Sequence, residues 1–555
     1  MGYDIQMLKI SWNAVDEPVG GGPVSYKVFQ DMDGKGPVAE TQVATGIAAT
    51  RLDHSIQKIY DYLNATYTVK ACNTAGCGPA SAPLGVDVNR FIGFFKASNA
   101  AASTRFGWAV ALSENGNTFA VGSHFEKSNA SGVNGDQTNQ SLNNAGAVYV
   151  FTRTAGVWAQ QAYVKASNPR SYAQFGSTLS LSADGNTLAV GSPFESSKAT
   201  GIDGDQGDTS ATGAGAVYVF TRSGSTWSQQ AYVKASNTDA GDQFGGTVSL
   251  SAAGDLMAVS AGYEASKATG IGGDQADNSE PNTGAVYVFA RTGVTWSQQA
   301  YVKAGTYTPS SSPFFGTSVA VSGDGGTLAV GSGGDSLSRG AVWVYLAAGN
   351  SWVQQAKVTA RNGEGSDRFG ESIALSADGN TLAAGAPSEF SKATGINGDE
   401  LDNSASFAGA AYVFTRTGVT WSQQAYIKAS NTDARDKFGT AVGLSSDGNT
   451  LLVGAPFEAS ASAGIGGTES DNSGGFVGAA YLFKRTGSEW HQQAYLKPLN
   501  ISSSAPPTFG LGLAVSADGS TLAVGAYADN SNWIGINGDK ATQTTVPTSG
   551  AAYIY

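Results

Sequence analysis

An all-β chain, a seven-bladed β-propeller behind an N-terminal β-sandwich, is predicted by three observations. A Phe-Gly pair recurs at Phe106, Phe175, Phe244, Phe315, Phe369, Phe438 and Phe509, at spacings of 69, 69, 71, 54, 69 and 71 residues. Seven copies of one unit signal a repeat architecture. Each copy carries four short strand-like runs, typified by FGSTLSLS, NTLAVGS, GAVYVFTR and WSQQAYVKA between 175 and 235, and four strands per repeat make one propeller blade. The ends of the chain complement each other: the seventh copy stops at GAAYIY with no fourth strand, while FIGFFKASN at 91–99 aligns with QQAYVKASN at 229–237 and has no strands of its own before it. Residues 91–98 are therefore expected to pair with 550–555, closing the ring by strand exchange and hiding two open edges.

Taken in order, residues 1–88 carry no trace of the repeat. ISWNAV, SYKVFQ and YLNATYTVKACNTAGCGPAS alternate apolar and polar positions between Gly and Pro turns, the pattern of a sandwich. Trp12 and Tyr67 are expected in its core, since buried aromatics dominate small sandwiches. Cys72 and Cys77, the only cysteines, lie in the last hairpin with no further metal ligands near them. They are expected to form a disulfide that contributes about 2 kcal/mol by loop entropy and implies an oxidising compartment.

Residues 89–555 form the repeat domain. In its third strands Val217 and Val219 face one side while Tyr218 and Phe220 face the other, so both faces are apolar, as in a sheet packed between two sheets. The fourth strand, with Ser228, Gln229, Gln230 and Lys234, reads as a polar rim.

These motifs carry two resemblances. Residues 1–88 resemble a fibronectin type III domain through Trp12, Tyr26, Leu63, Tyr67 and the Asn73-x-x-Gly76 turn, which implies a spacer or binding module. The seven Phe-Gly pairs, with the turns Gly385-Ala386-Pro387, Gly454-Ala455-Pro456 and the variant Gly191-Ser192-Pro193, resemble the FG-GAP repeats of integrin α-subunit propellers and of bacterial surface proteins. Some integrin blades bind calcium between their first two strands. Here that turn holds one carboxylate, as at Asp184, Asp378, Asp447 and Asp518, which is too few, and Asp-Gly suits a tight hairpin.

The variable part is a long loop between second and third strands, absent from the fourth copy. An acidic residue precedes each one: Glu126, Glu195, Glu264, Glu389, Glu458 and Asp529. The loops share a consensus, GIDGDQGDTS at 201 being typical, that supplies oxygen ligands at calcium-like spacing. The candidate calcium ligands are Asp136, Asp203, Asp205, Asp208, Asp274, Asp277, Asp399, Asp402, Asp471 and Asp539, joined by connecting segments such as Asn237-x-Asp239-x-x-Asp242 and Asn431-x-Asp433-x-x-Asp436. The alternative for the same residues is that they close Asx turns and bind nothing. Trp533 has no aromatic counterpart in the other loops and is a candidate ligand contact, the alternative being packing on its own loop.

A net charge of −12 speaks against nucleic acid and anionic membranes as partners. No apolar run is long enough to span a bilayer. MGYDIQMLKISW lacks the regions of a signal peptide, so the sequence reads as part of something longer. The three histidines, His54, His124 and His491, sit in unrelated contexts and are expected at the surface, and no catalytic motif is present. The function expected is a non-enzymatic extracellular or cell-surface module for adhesion, recognising a glycan or surface protein. The alternatives are a polysaccharide-degrading enzyme on the same scaffold and a structural part of a surface assembly.

Overall fold

The computed structural model describes residues 1–16, 22–36, 40–306, 312–501, 507–538 and 546–555. The N-terminal unit contains β1 (Gly2–Asp4), β2 (Met7–Ser11), β3 (Ser25–Asp31), β4 (Thr41–Ile47), β5 (Arg51–Ser55), β6 (Thr66–Asn73), β7 (Gly76–Cys77) and β8 (Leu84–Gly85). They form two antiparallel sheets in the orders β1-β2-β5 and β4-β3-β6-β7, with β8 on β6. Leu8, Ile10, Val28 and Tyr67 are buried in its core, and Trp12 packs half-buried against it. Leu63 is 41% exposed instead, because Ile59 and Tyr60 of the preceding 3-10 turn take the buried positions. Cys72 and Cys77 sit opposite each other on β6 and β7 and are joined as a disulfide.

This unit does not stand apart as a bead on a string. Tyr60 Oη donates to the Gly519 carbonyl at 2.8 Å, Gln6 Nε2 donates to the Tyr555 carbonyl at 3.1 Å, and Arg153 Nη1 donates to Gln6 Oε1. One apolar cluster runs from Ile59 and Phe91 into Leu482, Leu496 and Tyr553.

Beyond residue 91 the chain builds repeated four-stranded antiparallel sheets, the arrangement of propeller blades. After β9 (Gly93–Lys96), the first sheet is β10 (Val110–Leu112), β11 (Thr118–Ser123), β12 (Ala147–Thr154) and β13 (Val157–Val164), in sequence order. Five sheets of the same order follow at 178–233, 244–302, 318–358, 372–427 and 441–496. The last sheet takes strands from both ends of the chain: Phe509–Val515, Leu522–Ala526 and Ala551–Ile554, then β9, then Gly535–Ile536. Tyr553 pairs with Phe94 and Ile554 with Gly93.

Alternation along the third strand decides the packing. Val148 and Val150 of β12 enter a cluster with Phe175, Leu188 and Tyr218 of the second sheet. Tyr149 and Phe151 enter another with Phe95, Ala523 and Ile554 of the last sheet. Both faces are thus buried against neighbours. Equivalent clusters join each successive pair of sheets, and the inner strand β10 lies against both the second sheet and the last. Between sheets the backbones come very close: Gly215 bridges Phe244, and a Cβ on Gly215 would lie 2.0 Å from the Phe244 carbonyl oxygen. Only glycine fits there, and its φ of +84° would strain any other residue.

Candidate binding face

The long loops and the segments that carry the chain from one sheet to the next emerge together, on the face opposite the Asp-Gly hairpins. Each loop begins at its acidic residue. Those residues are not a charged rim. Glu126, Glu195, Glu264, Glu389, Glu458 and Asp529 are buried, and so is the fourth-strand lysine of the same sheet. Lys165 Nζ meets Glu126 Oε2 at 2.7 Å and Lys234 Nζ meets Glu195 Oε2 at 3.0 Å, both side chains almost wholly shielded from water. Lys303–Glu264, Lys428–Glu389, Lys497–Glu458 and Lys96–Asp529 repeat the pair. The fourth sheet, which lacks the long loop, keeps a half-exposed version in Lys357–Asp335. Lys234 therefore belongs to the interior, contrary to the expected polar rim. Burial pushes its ammonium below the usual lysine range while Glu195 pulls against that shift. A buried charge needs such a partner.

The loop carboxylates are engaged in holding the loops themselves. Asp203 lies in the left-handed region with φ +53°, which short polar residues tolerate, and its Oδ1 accepts the Tyr232 amide at 2.9 Å. Asn134, Asn397 and Asn537 do the same against Tyr163, Tyr426 and Phe94, so the position calls for a turn former rather than a charge. Asp136, Asp205, Asp274 and Asp399 accept the amide two residues on, as Asx turns do. Asp208 accepts Lys198 N and Ser210 N, and Asp277, Asp402 and Asp471 tether their loops in the same way. Among the described residues no three His, Cys, Asp or Glu side chains converge on a common point. Asp539 lies outside the described residues. Trp533 is 37% exposed with its indole over Gly538, on its own loop.

The connecting segments bury Asp242 and Asp436. Burial, reinforced by the Glu264 carboxylate, pushes Asp242 up to about 7. Burial does the same to Asp436, also to about 7, against the amide hydrogen bond from Asp433.

At the inner ends of these segments the residue before every Phe-Gly pair is left-handed. The φ values are +57° at Arg105, +55° at Gln174, +56° at Gln243, +49° at Phe314, +59° at Arg368, +55° at Lys437 and +52° at Thr508. Strain of this kind gathers at ligand clamps. Between the last sheet and the first this mouth is filled: Trp108 stacks on His124 at 4.4 Å and meets Tyr527 at 5.1 Å, with Arg105 over the rings. His124 is buried, not at the surface; burial and then Arg105 hold its imidazole down at about 3, hence neutral. Around the third, fourth and fifth sheets the mouth is instead open, as a cleft of about 250 Å³ bounded by Tyr263, Phe314, Arg368 and Glu371.

A family model of the FG-GAP repeat matches residues 94–151, 227–289, 352–414 and 421–483. The chain carries FG-GAP repeats. Each match spans a sheet boundary, from an outer strand to the third strand of the next sheet, so the FG-GAP repeat as a sequence unit is offset from the sheet as a structural unit. FG-GAP repeats are found in integrin-like adhesion or binding modules. No curated protein matches the chain.

Sequence reasoning missed the buried lysine–carboxylate pairs and the open cleft. The first had a signal: five lysines follow their acidic partner at a constant 39 residues.

Proposed function

We propose that this chain is an extracellular or cell-surface adhesion module: a seven-bladed, integrin-like propeller behind a fibronectin type III-like unit, recognising a glycan or surface protein through its loop face. The cyclic order of the interfaces and the β9 exchange support the ring. The two-sheet order of residues 1–88 supports the fibronectin-like reading. The observation that carries the function is the inequality of the two faces. The hairpin face is partly occupied by the N-terminal unit through Gln6 and Tyr60. The loop face carries exposed aromatics, Tyr263 at 44%, Phe407 at 40% and Phe476 at 55%, above a mouth of strained backbone. Exposed aromatic side chains on a polar protein favour recognition. The repeating carboxylates have turn and core duties, which favours binding over catalysis.

Glycan and cell-surface arrays probed with the parent and with the Phe407→Ala/Phe476→Ala variant test this reading. Saturable capture that the variant weakens is expected. Capture by neither surface would contradict it.

A further inference from the structure

The open cleft differs from the filled end of the same mouth at matched positions of the repeat. Trp108 and His124, which plug the seam between the last and first sheets, correspond to Gly246 and Gly262 in the third sheet and to Thr317 and Gly333 in the fourth. Removing those rings leaves a recess whose walls are chemically distinct. Tyr263 and Phe314 meet edge to face at 5.6 Å and form an aromatic wall. Opposite, Arg368 Nη2 lies 3.3 Å from Glu371 Oε1, while Glu371 Oε2 is shielded from water and has no hydrogen-bond partner among the described residues. Gly333 packs against that oxygen, where any side chain would collide with it. A buried acceptor left unpaired is unfavourable, and a ligand hydroxyl that reached the Glu371 carboxylate would relieve it.

From these features we infer that the cleft between the third and fifth sheets is a binding subsite for one neutral pyranose ring. The inference rests on the reading of this face as the binding face and narrows its ligand to carbohydrate. A sugar fits both walls at once: its C–H face packs on Tyr263 and Phe314, one hydroxyl donates to the partly exposed Glu371 carboxylate, and a neighbouring hydroxyl accepts from Arg368. Paired donors and acceptors at fixed spacing are what a hydroxyl-rich ring offers, and Glu371 disfavours an acidic sugar. The volume, about 250 Å³, lies below the roughly 300–1,000 Å³ of sites for drug-sized ligands and suits a terminal residue of a larger glycan.

Saturation-transfer NMR with the methyl α-glycosides of glucose, galactose and mannose tests the subsite on the whole chain. Transfer to at least one is expected in the parent, with at least a tenfold loss of affinity in Gly262→His and in Glu371→Gln. Gly262 has ordinary φ and nothing within 4 Å of a Cβ, so Gly262→His fills the cleft without straining the backbone, and its melting temperature should match the parent. No transfer in the parent, or transfer unchanged in both variants, overturns the subsite. If arrays show a captured glycan that both variants still hold, the subsite falls while the binding face stands. If the parent captures nothing, both readings fall.

Discussion

Lys234 and Glu195 show how far a residue's role can depart from its type. Each looks like a surface charge in the sequence, yet together they form a shielded pair that anchors the start of a loop. Removing one member of such a pair strands the other, a loss of about 3–5 kcal/mol. Lys234→Met is therefore expected to lower stability by that order in urea denaturation, and Lys234→Met/Glu195→Leu to recover most of it. Asp242 makes a second test. Its folded-state carboxyl titrates near 7, beside Glu264, Asp239 and Lys303. The folded state therefore binds more protons than the unfolded chain between about pH 4 and 7, and stability falls as pH rises through that window. Asp242→Asn stays neutral, so it should exceed the parent in stability by on the order of 1–3 kcal/mol at pH 8, and the two should converge as pH falls toward 4. The loop aspartates carry a third expectation. Because their oxygens already accept backbone amides, melting midpoints in EDTA and in excess calcium should coincide; a calcium-dependent rise would show that the loops rearrange around an ion.

At the scale of the strand, periodicity was legible and partnership was not. The alternation of GAVYVF announced a sheet buried on both sides, and Val148 and Tyr149 do enter different clusters. The polar look of WSQQAYVKA misled, because a glutamine or lysine can be satisfied inside as well as outside. Trp227 Nε1 donates to Gln161 Oε1 of the previous sheet at 2.8 Å, and the outer strands are tied together by such contacts. The seam between last and first sheets lacks this glutamine, since Ile92 stands in its place; Trp158 Nε1 has no hydrogen-bond partner among the described residues and Arg153 turns to Gln6. Glycine was legible as a turn former but not as a spacer. Gly215→Ala should cost more than the roughly 1 kcal/mol typical of a strained glycine site, because the Phe244 carbonyl occupies the space of the methyl group. Thermal denaturation of that variant checks it.

On the scale of the whole molecule, the repeat count and the complementary ends were open to reading because both are properties of one-dimensional order. The docking of the N-terminal unit was not. It depends on single residues such as Gln6 and Tyr60 that meet Ser520, Gly519 and Tyr555 some 450 to 550 positions away, and no periodicity marks them. The open cleft was hidden for a related reason, since it arises where the repeat drops side chains, at Gly246 and Gly262. Every one of these features depends on the last sheet borrowing β9, for otherwise the first and last sheets would present open edges and the mouth would have no fixed outline. Amide hydrogen exchange of the intact protein addresses that dependence directly. Residues 93–96 are expected to exchange as slowly as their partners at 551–554; rapid exchange at 93–96, with 551–554 still protected, would contradict the borrowed strand.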